Sequence, residues 1–87
     1  MGVEEIISLA KDTVVKWYGD NRVLIKLEDV FLVWFSKTLQ HCKLLLGANV
    51  PDNTYFEFTY NGDRKIAYFD VYTKTDKWIV KRGGIDV

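Results

Sequence analysis

With 87 residues the chain has room for one domain, and a domain this short buries only roughly 60–65% of the surface that its unfolded form exposes, so its core must be dense. Apolar residues make up 48% of it and aromatic residues 15%, enough for one core without a disulfide or structural metal; the single cysteine, Cys42, excludes an internal bridge and suits a reducing cytoplasm. The formal charge is zero, with six basic and six acidic side chains in residues 1–43 and the same again in 44–87, which disfavours a phosphate-tracking nucleic-acid binder and an acidic DNA mimic alike.

Met1-Gly2-Val3-Glu4-Glu5 lacks the basic and apolar regions of a signal peptide, and the longest apolar run, Val30 to Phe35, is too short to span a membrane. Ile6 stands where a myristoylation motif needs Ser or Thr. The expectation is therefore a single cytoplasmic domain over 1–87, ordered from about 3 to 81 and free of membrane.

Val3, Ile6, Ile7, Ala10, Val14, Trp17 and Tyr18 recur at helical spacing, with Glu4, Glu5, Lys11, Asp12 and Lys16 on the other side. This predicts an amphipathic N-terminal helix that stops near Gly19. Such a helix is marginal alone, so its apolar stripe needs a sheet to pack on. Val23, Ile25 and Leu27 alternate with Leu24, Lys26 and Glu28 and suggest a short strand. The β-branched and aromatic run Val30–Phe35 is apolar on both faces, which predicts a central strand.

Leu39, Leu44, Leu45 and Leu46 can be written as a helix or as a turn followed by a strand. Gly47 and the Val50-Pro51-Asp52-Asn53 turn favour a turn at Leu39–Cys42 and a strand at Lys43–Ala48; whether 37–42 is turn or helix stays open. Phe56, Phe58 and Tyr60 then alternate with Tyr55, Glu57 and Thr59 up to Asn61-Gly62, the signal of a two-residue type I′ hairpin. The return strand, Lys65–Tyr72, sets Ala67, Phe69 and Val71 against Ile66, Tyr68, Asp70 and Tyr72. A polar turn follows, Trp78-Ile79-Val80 reads as a further short strand, and Arg82-Gly83-Gly84 opens a tail expected to be mobile. The fold class expected is α+β, one helix packed on one face of a mostly antiparallel meander of four to five strands.

Few residues offer chemistry. His41 and Cys42 are neighbours, which in a strand point apart, and no second Cys or His builds a metal site. Glu57 and Asp70 share a face, yet no His or metal set accompanies them, so that face reads as solvated sheet rather than acid–base site. Trp34 with Lys37 and Lys43, or Trp78 with Lys74, Lys77, Lys81 and Arg82, could stack bases beside phosphates, although the plainer reading makes Trp34 core and the lysines solvated. No cofactor, metal or enzymatic activity is expected.

The segments Asp29-Val30, Val33-Trp34-x-x-Lys37-Thr38-Leu39-Gln40-x-x-Lys43, Pro51-Asp52, Glu57-x-Thr59-Tyr60-Asn61-Gly62-Asp63 and Tyr68-x-Asp70-x-Tyr72 resemble a family of small uncharacterised proteins of phages and prophages of Gram-positive bacteria. The resemblance spans roughly residues 23 to 74, departing at His41-Cys42 and Asn53, where such sequences carry Asn and Gly. It implies a phage origin and a bacterial cytoplasm, and brings no assigned activity.

The function expected is that of a non-catalytic protein-interaction module bound to a host or phage protein; the alternative is a single-stranded nucleic-acid accessory protein, and a homo-oligomer stays open. Tyr55, Glu57, Tyr68, Asp70 and Tyr72, which alternation places away from the helix, form the candidate surface, with Trp34 and Lys37 beside them.

Overall fold

The computed structural model describes residues 2–74, 79–81 and 84–86. Helix α1 spans Val3–Asp20, a 3₁₀ turn covers Leu27–Asp29, and four strands follow: β1 (Val30–Thr38), β2 (His41–Ala48), β3 (Thr54–Asn61) and β4 (Ile66–Thr73). They form one antiparallel sheet in the order β1-β2-β3-β4. Two short segments, β5 (Ile79–Lys81) and β6 (Gly84–Asp86), pair with each other in a separate ladder. The architecture is the α+β meander that the hydropathy pattern implies. Lys77, Trp78 and Arg82, named above as a basic and aromatic cluster, lie outside the described residues.

Ile6, Ala10, Val14 and Tyr18, each four residues from the last, form the buried stripe of α1. They meet Val30, Cys42, Leu44, Leu46, Phe56 and Phe58 from one face of the sheet. Aromatic rings gather where the helix ends: the ring of Phe56 lies 5.3 Å from Trp17 and 5.5 Å from Tyr18, both edge-on, and Phe69 stacks on it at 5.5 Å. Edge-to-face geometry sets the positive rim of one ring against the negative face of another and adds to the area term.

Helix α1 ends at Asp20, one residue past Gly19. Arg22 takes the left-handed conformation (φ 64°), so that Arg22 N–H bonds the Gly19 carbonyl and Val23 N–H the Tyr18 carbonyl, the paired bonds of a Schellman cap. The expected strand at Val23–Leu27 does not form. Asp29 accepts from Lys26 N–H, and Asp29 N–H donates to the Lys26 carbonyl, so local bonds close a 3₁₀ turn instead of a ladder.

Two hairpins hold the sheet. The first turn is only Leu39-Gln40, with Leu39 at φ 56°; His41 and Cys42 belong to β2 rather than to the turn. At the second, Asn61 pairs with Ile66 across a four-residue loop, not the two-residue type I′ turn expected. The Asn61 carboxamide oxygen accepts from the N–H groups of Asp63 and Arg64, and Lys65, not Gly62, takes positive φ. Gly62 is needed for proximity: its N–H donates to the Gln40 carbonyl at 2.9 Å, and a Cβ there would come within 2.2 Å of that oxygen.

Strand β1 is an edge strand, not a central one. It is apolar on both faces although only one of them is covered. Helix α1 packs across β1, β2 and β3, and β4 lies past its flank, since a helix about 10 Å wide cannot span four strands set about 4.8 Å apart.

Tyr18 also fastens the β2–β3 connection. Its hydroxyl donates to both oxygens of Asp52, at 2.9 and 3.1 Å, while Asp52 accepts from Thr54 N–H. Burial, reinforced by the hydrogen bond to Asp52 and by that carboxylate's charge, pushes the phenol up from 10.0 to about 12. The unfolded phenol ionises first, so the Tyr18 contribution is complete below pH 10 and is lost as pH climbs from 10.0 to about 12.

Two predictions follow from this packing. Phe58→Ala, at a side chain 2% exposed, is expected to cost about 3–5 kcal/mol in urea unfolding, and Phe69→Ala, only partly buried, less than Phe58→Ala. Tyr18→Phe is expected to cost about 1.5 kcal/mol at neutral pH and to lose less stability than wild type as the pH rises from 10.0 to about 12, measured by urea unfolding across that range.

Candidate functional site

The face of the sheet turned away from α1 is built by register. Directly opposite residues of an antiparallel pair share a face, so the pairings Trp34–Leu45, Leu45–Glu57 and Glu57–Asp70 make one row across all four strands on the outer side. Ser36–Lys43, Lys43–Thr59 and Thr59–Tyr68 make the next row. Phe31 opposite Gly47 and Tyr55 opposite Tyr72 flank the row on its other side.

Trp34 reaches this face through a β-bulge. Leu32 pairs with Leu46 and Trp34 with Leu45, so Val33 is the extra residue. Without it, simple alternation would turn Trp34 inward opposite Leu44. With it, Trp34 is 50% exposed and Phe35 packs against the core. The reading of Trp34 as core is thus corrected by one inserted residue, a bulge's usual effect on the direction of the side chains that follow.

Six of the seven candidate residues, Trp34, Tyr55, Glu57, Tyr68, Asp70 and Tyr72, share this surface. Lys37 does not: it pairs with Cys42, on the helix side of β1. Lys43 takes the basic position instead, with its ammonium 3.5 Å from Glu57. Phe31, Leu45 and Ile66 also belong to the outer face and were not among the candidates; alternation along β2 would have found Leu45, alternation along β1 before the bulge Phe31, and the alternation of β4 already sets Ile66 beside Tyr68. The ring of Phe31 lies over Gly47, where a Cβ would come within 2.7 Å of it, so the glycine is the seat for the ring.

The face is aromatic and exposed. Tyr68 and Tyr72 are 52% and 50% exposed, and Phe31, Val33 and Tyr55 are open as well. Contiguous apolar and aromatic surface rimmed by charge is what interaction sites present. The electrostatics run against stability: Glu57 and Asp70 stand directly opposite each other, an arrangement of like charges that a sheet pays for, and among the described residues Lys43 pairs with Glu57 and not with Asp70.

The remaining candidates for chemistry are separated. Cys42 is buried in the core, whereas His41 stands at the opposite face of β2, 3.5 Å from Asp63. Among the described residues no group of three His, Cys, Asp or Glu side chains is placed to hold a metal ion, and no helix is long and apolar enough to cross a membrane. A shallow groove of about 420 Å³ lies between α1 and the 3₁₀ turn, lined by Glu4, Ile7, Ser8, Lys11, Leu27 and Glu28; none of the candidate residues lines it.

The chain belongs to the family of unknown function DUF6275, whose model matches residues 7–82. No curated protein and no solved structure matches it.

Since the Glu57/Asp70 pair costs stability, replacing one member with a cation should recover it. Asp70→Lys is expected to raise the unfolding free energy by about 0.5–1 kcal/mol at low salt, measured by urea unfolding, with the gain shrinking as salt rises.

Proposed function

We propose that this chain is a small phage- or prophage-encoded accessory protein that works in the bacterial cytoplasm as a non-catalytic protein-interaction module. The viral origin rests on the likeness of its Trp34-x-x-Lys37-Thr38-Leu39-Gln40-x-x-Lys43 and Glu57-x-Thr59-Tyr60-Asn61-Gly62-Asp63 segments to phage sequences. The observation that carries the interaction reading is the outer sheet face, where Phe31, Trp34, Tyr55, Tyr68 and Tyr72 stand exposed together. Tyrosine and tryptophan supply large contact area with few rotatable bonds, which is why they dominate the energetics of protein interfaces.

Charge favours a protein partner, host or phage, over a nucleic acid. Glu57 and Asp70 occupy the middle of the face against one lysine, Lys43, and that surplus of anions repels a phosphate backbone. A basic side chain from a protein partner would be drawn to the same place, with Asp70 available to it. A non-catalytic role is supported by the separation of His41 from Cys42 and by the ion pair that occupies Glu57.

The test is a variant carrying Tyr55→Ser, Tyr68→Ser and Tyr72→Ser, with Trp34→Ser made separately. Both should keep the far-UV spectrum of the wild type, since these side chains lie outside the core, and both should lose the proteins that the wild type captures from host and phage lysates. Undiminished capture by folded variants would refute the assignment. Binding to single-stranded oligonucleotides that weakens steeply with salt would favour the nucleic-acid reading instead.

A further inference from the structure

The free edge of β4 is a second surface, independent of the outer face. The strand Ile66-Ala67-Tyr68-Phe69-Asp70-Val71-Tyr72-Thr73 is eight residues long, pairs among the described residues with β3 alone, and contains no proline, lysine or arginine. Its ladder with β3 runs from Thr54–Thr73 to Asn61–Ile66 without a register shift. Proteins usually blunt such an edge with a bulge, an edge lysine or a proline. Strand β1, the other edge, has two of these devices, the bulge at Val33 and Lys37. Strand β4 has neither bulge, lysine nor proline, its one charge being Asp70, and because α1 lies over β1, β2 and β3, its helix-side residues Ala67 and Val71 are exposed as well, Val71 at 37%.

We propose that the β4 edge pairs antiparallel with β4 of a second copy of this chain, joining two four-stranded sheets into one of eight strands about a two-fold axis through Phe69. The sequence of β4 is self-complementary in this register. Opposite residues must lie on the same face, so the register can move only in steps that keep alternation intact. Centring on Phe69 sets Ile66 against Tyr72 of the second copy, Ala67 against Val71, Tyr68 against Asp70, and Phe69 against Phe69. On the helix side this gives an uninterrupted apolar line of Ala67, Phe69 and Val71 from both copies. On the outer side each Asp70 faces a tyrosine.

Charge selects this register over its neighbour. Centring on Asp70 sets the two carboxylates directly opposite each other, beside the Glu57 that already faces each of them, and like charges so placed are destabilising. Centring on Tyr68 shortens the seam and brings Asp70 opposite Ile66. The pairing is isologous and closes on itself, so it yields a dimer rather than a filament. Because the axis is normal to the sheet, both outer aromatic faces stay open on the same side, forming a surface twice as wide.

Sedimentation equilibrium of the full chain over a concentration series tests the seam. Wild type is expected to reach twice the 10.2 kDa chain mass, and Val71→Lys, which places a charge on an exposed edge position, to stay at 10.2 kDa with an unchanged far-UV spectrum. Should Val71→Lys fail to fold, Ala67→Lys at the facing position decides in the same way. In a mixed isotope-labelled sample, intermolecular contacts between the Ala67 and Val71 methyl groups report the register. A wild type that stays monomeric throughout, a dimer that survives both lysines, or an assembly that grows past the dimer would each overturn the proposal.

Discussion

A single helix must cover a four-stranded sheet, and it is too narrow to do so. Four strands measure about 14 Å between the outer strand axes, whereas one helix with its side chains is about 10–12 Å across. The chain resolves this by setting the Ile6, Ala10, Val14, Tyr18 stripe over β1, β2 and β3 and concentrating its largest side chains there. One face of the sheet is thereby buried around Leu44, Leu46, Phe56 and Phe58, and the described residues leave three surfaces open: the outer face, the helix side of β4 at Ala67 and Val71, and the β4 edge. The aromatic density noted in the composition is split between these two regimes. Trp17, Tyr18, Phe56 and Phe58 make the core, while Trp34, Tyr68 and Tyr72 meet solvent.

How far this was legible in the sequence depends on where regular alternation held. Within Thr54–Asn61 and again within Ile66–Thr73 the period of two is unbroken, and the faces of β3 and β4 follow from it directly, Tyr55, Glu57, Tyr68, Asp70 and Tyr72 included. In β1 the period breaks at Val33. No local composition marks that bulge, since valine suits a regular strand equally well, so Trp34 and Lys37 are each assigned to the wrong side by simple counting. The apolar character of Val30–Phe35 misleads for a related reason: hydrophobicity on two faces signals a central strand only if both faces are buried within the fold, and here one of them is not.

The turns show the same limit at shorter range. Asn61-Gly62 does mark a hairpin, but Asn61 acts through its side chain and Gly62 through its closeness to Gln40, a contact between two turns that no local pattern encodes. Gly19 likewise resembles a helix stop, yet the left-handed position falls to Arg22. The Glu57/Asp70 pair is the clearest case of local choice opposing stability on a surface that packing does not constrain. Such conflicts concentrate where a surface serves something other than the fold.

The central claim is that one face of the sheet is buried under α1 and the other is open. Hydroxyl-radical footprinting of the native protein, read residue by residue by mass spectrometry, measures this directly. The account predicts rapid modification of Trp34, Tyr68 and Tyr72, with Tyr18, Phe56 and Phe58 protected until the protein is unfolded. Protection of Trp34 and the two outer tyrosines equal to that of Tyr18 would mean that the outer face is covered, and would contradict the account.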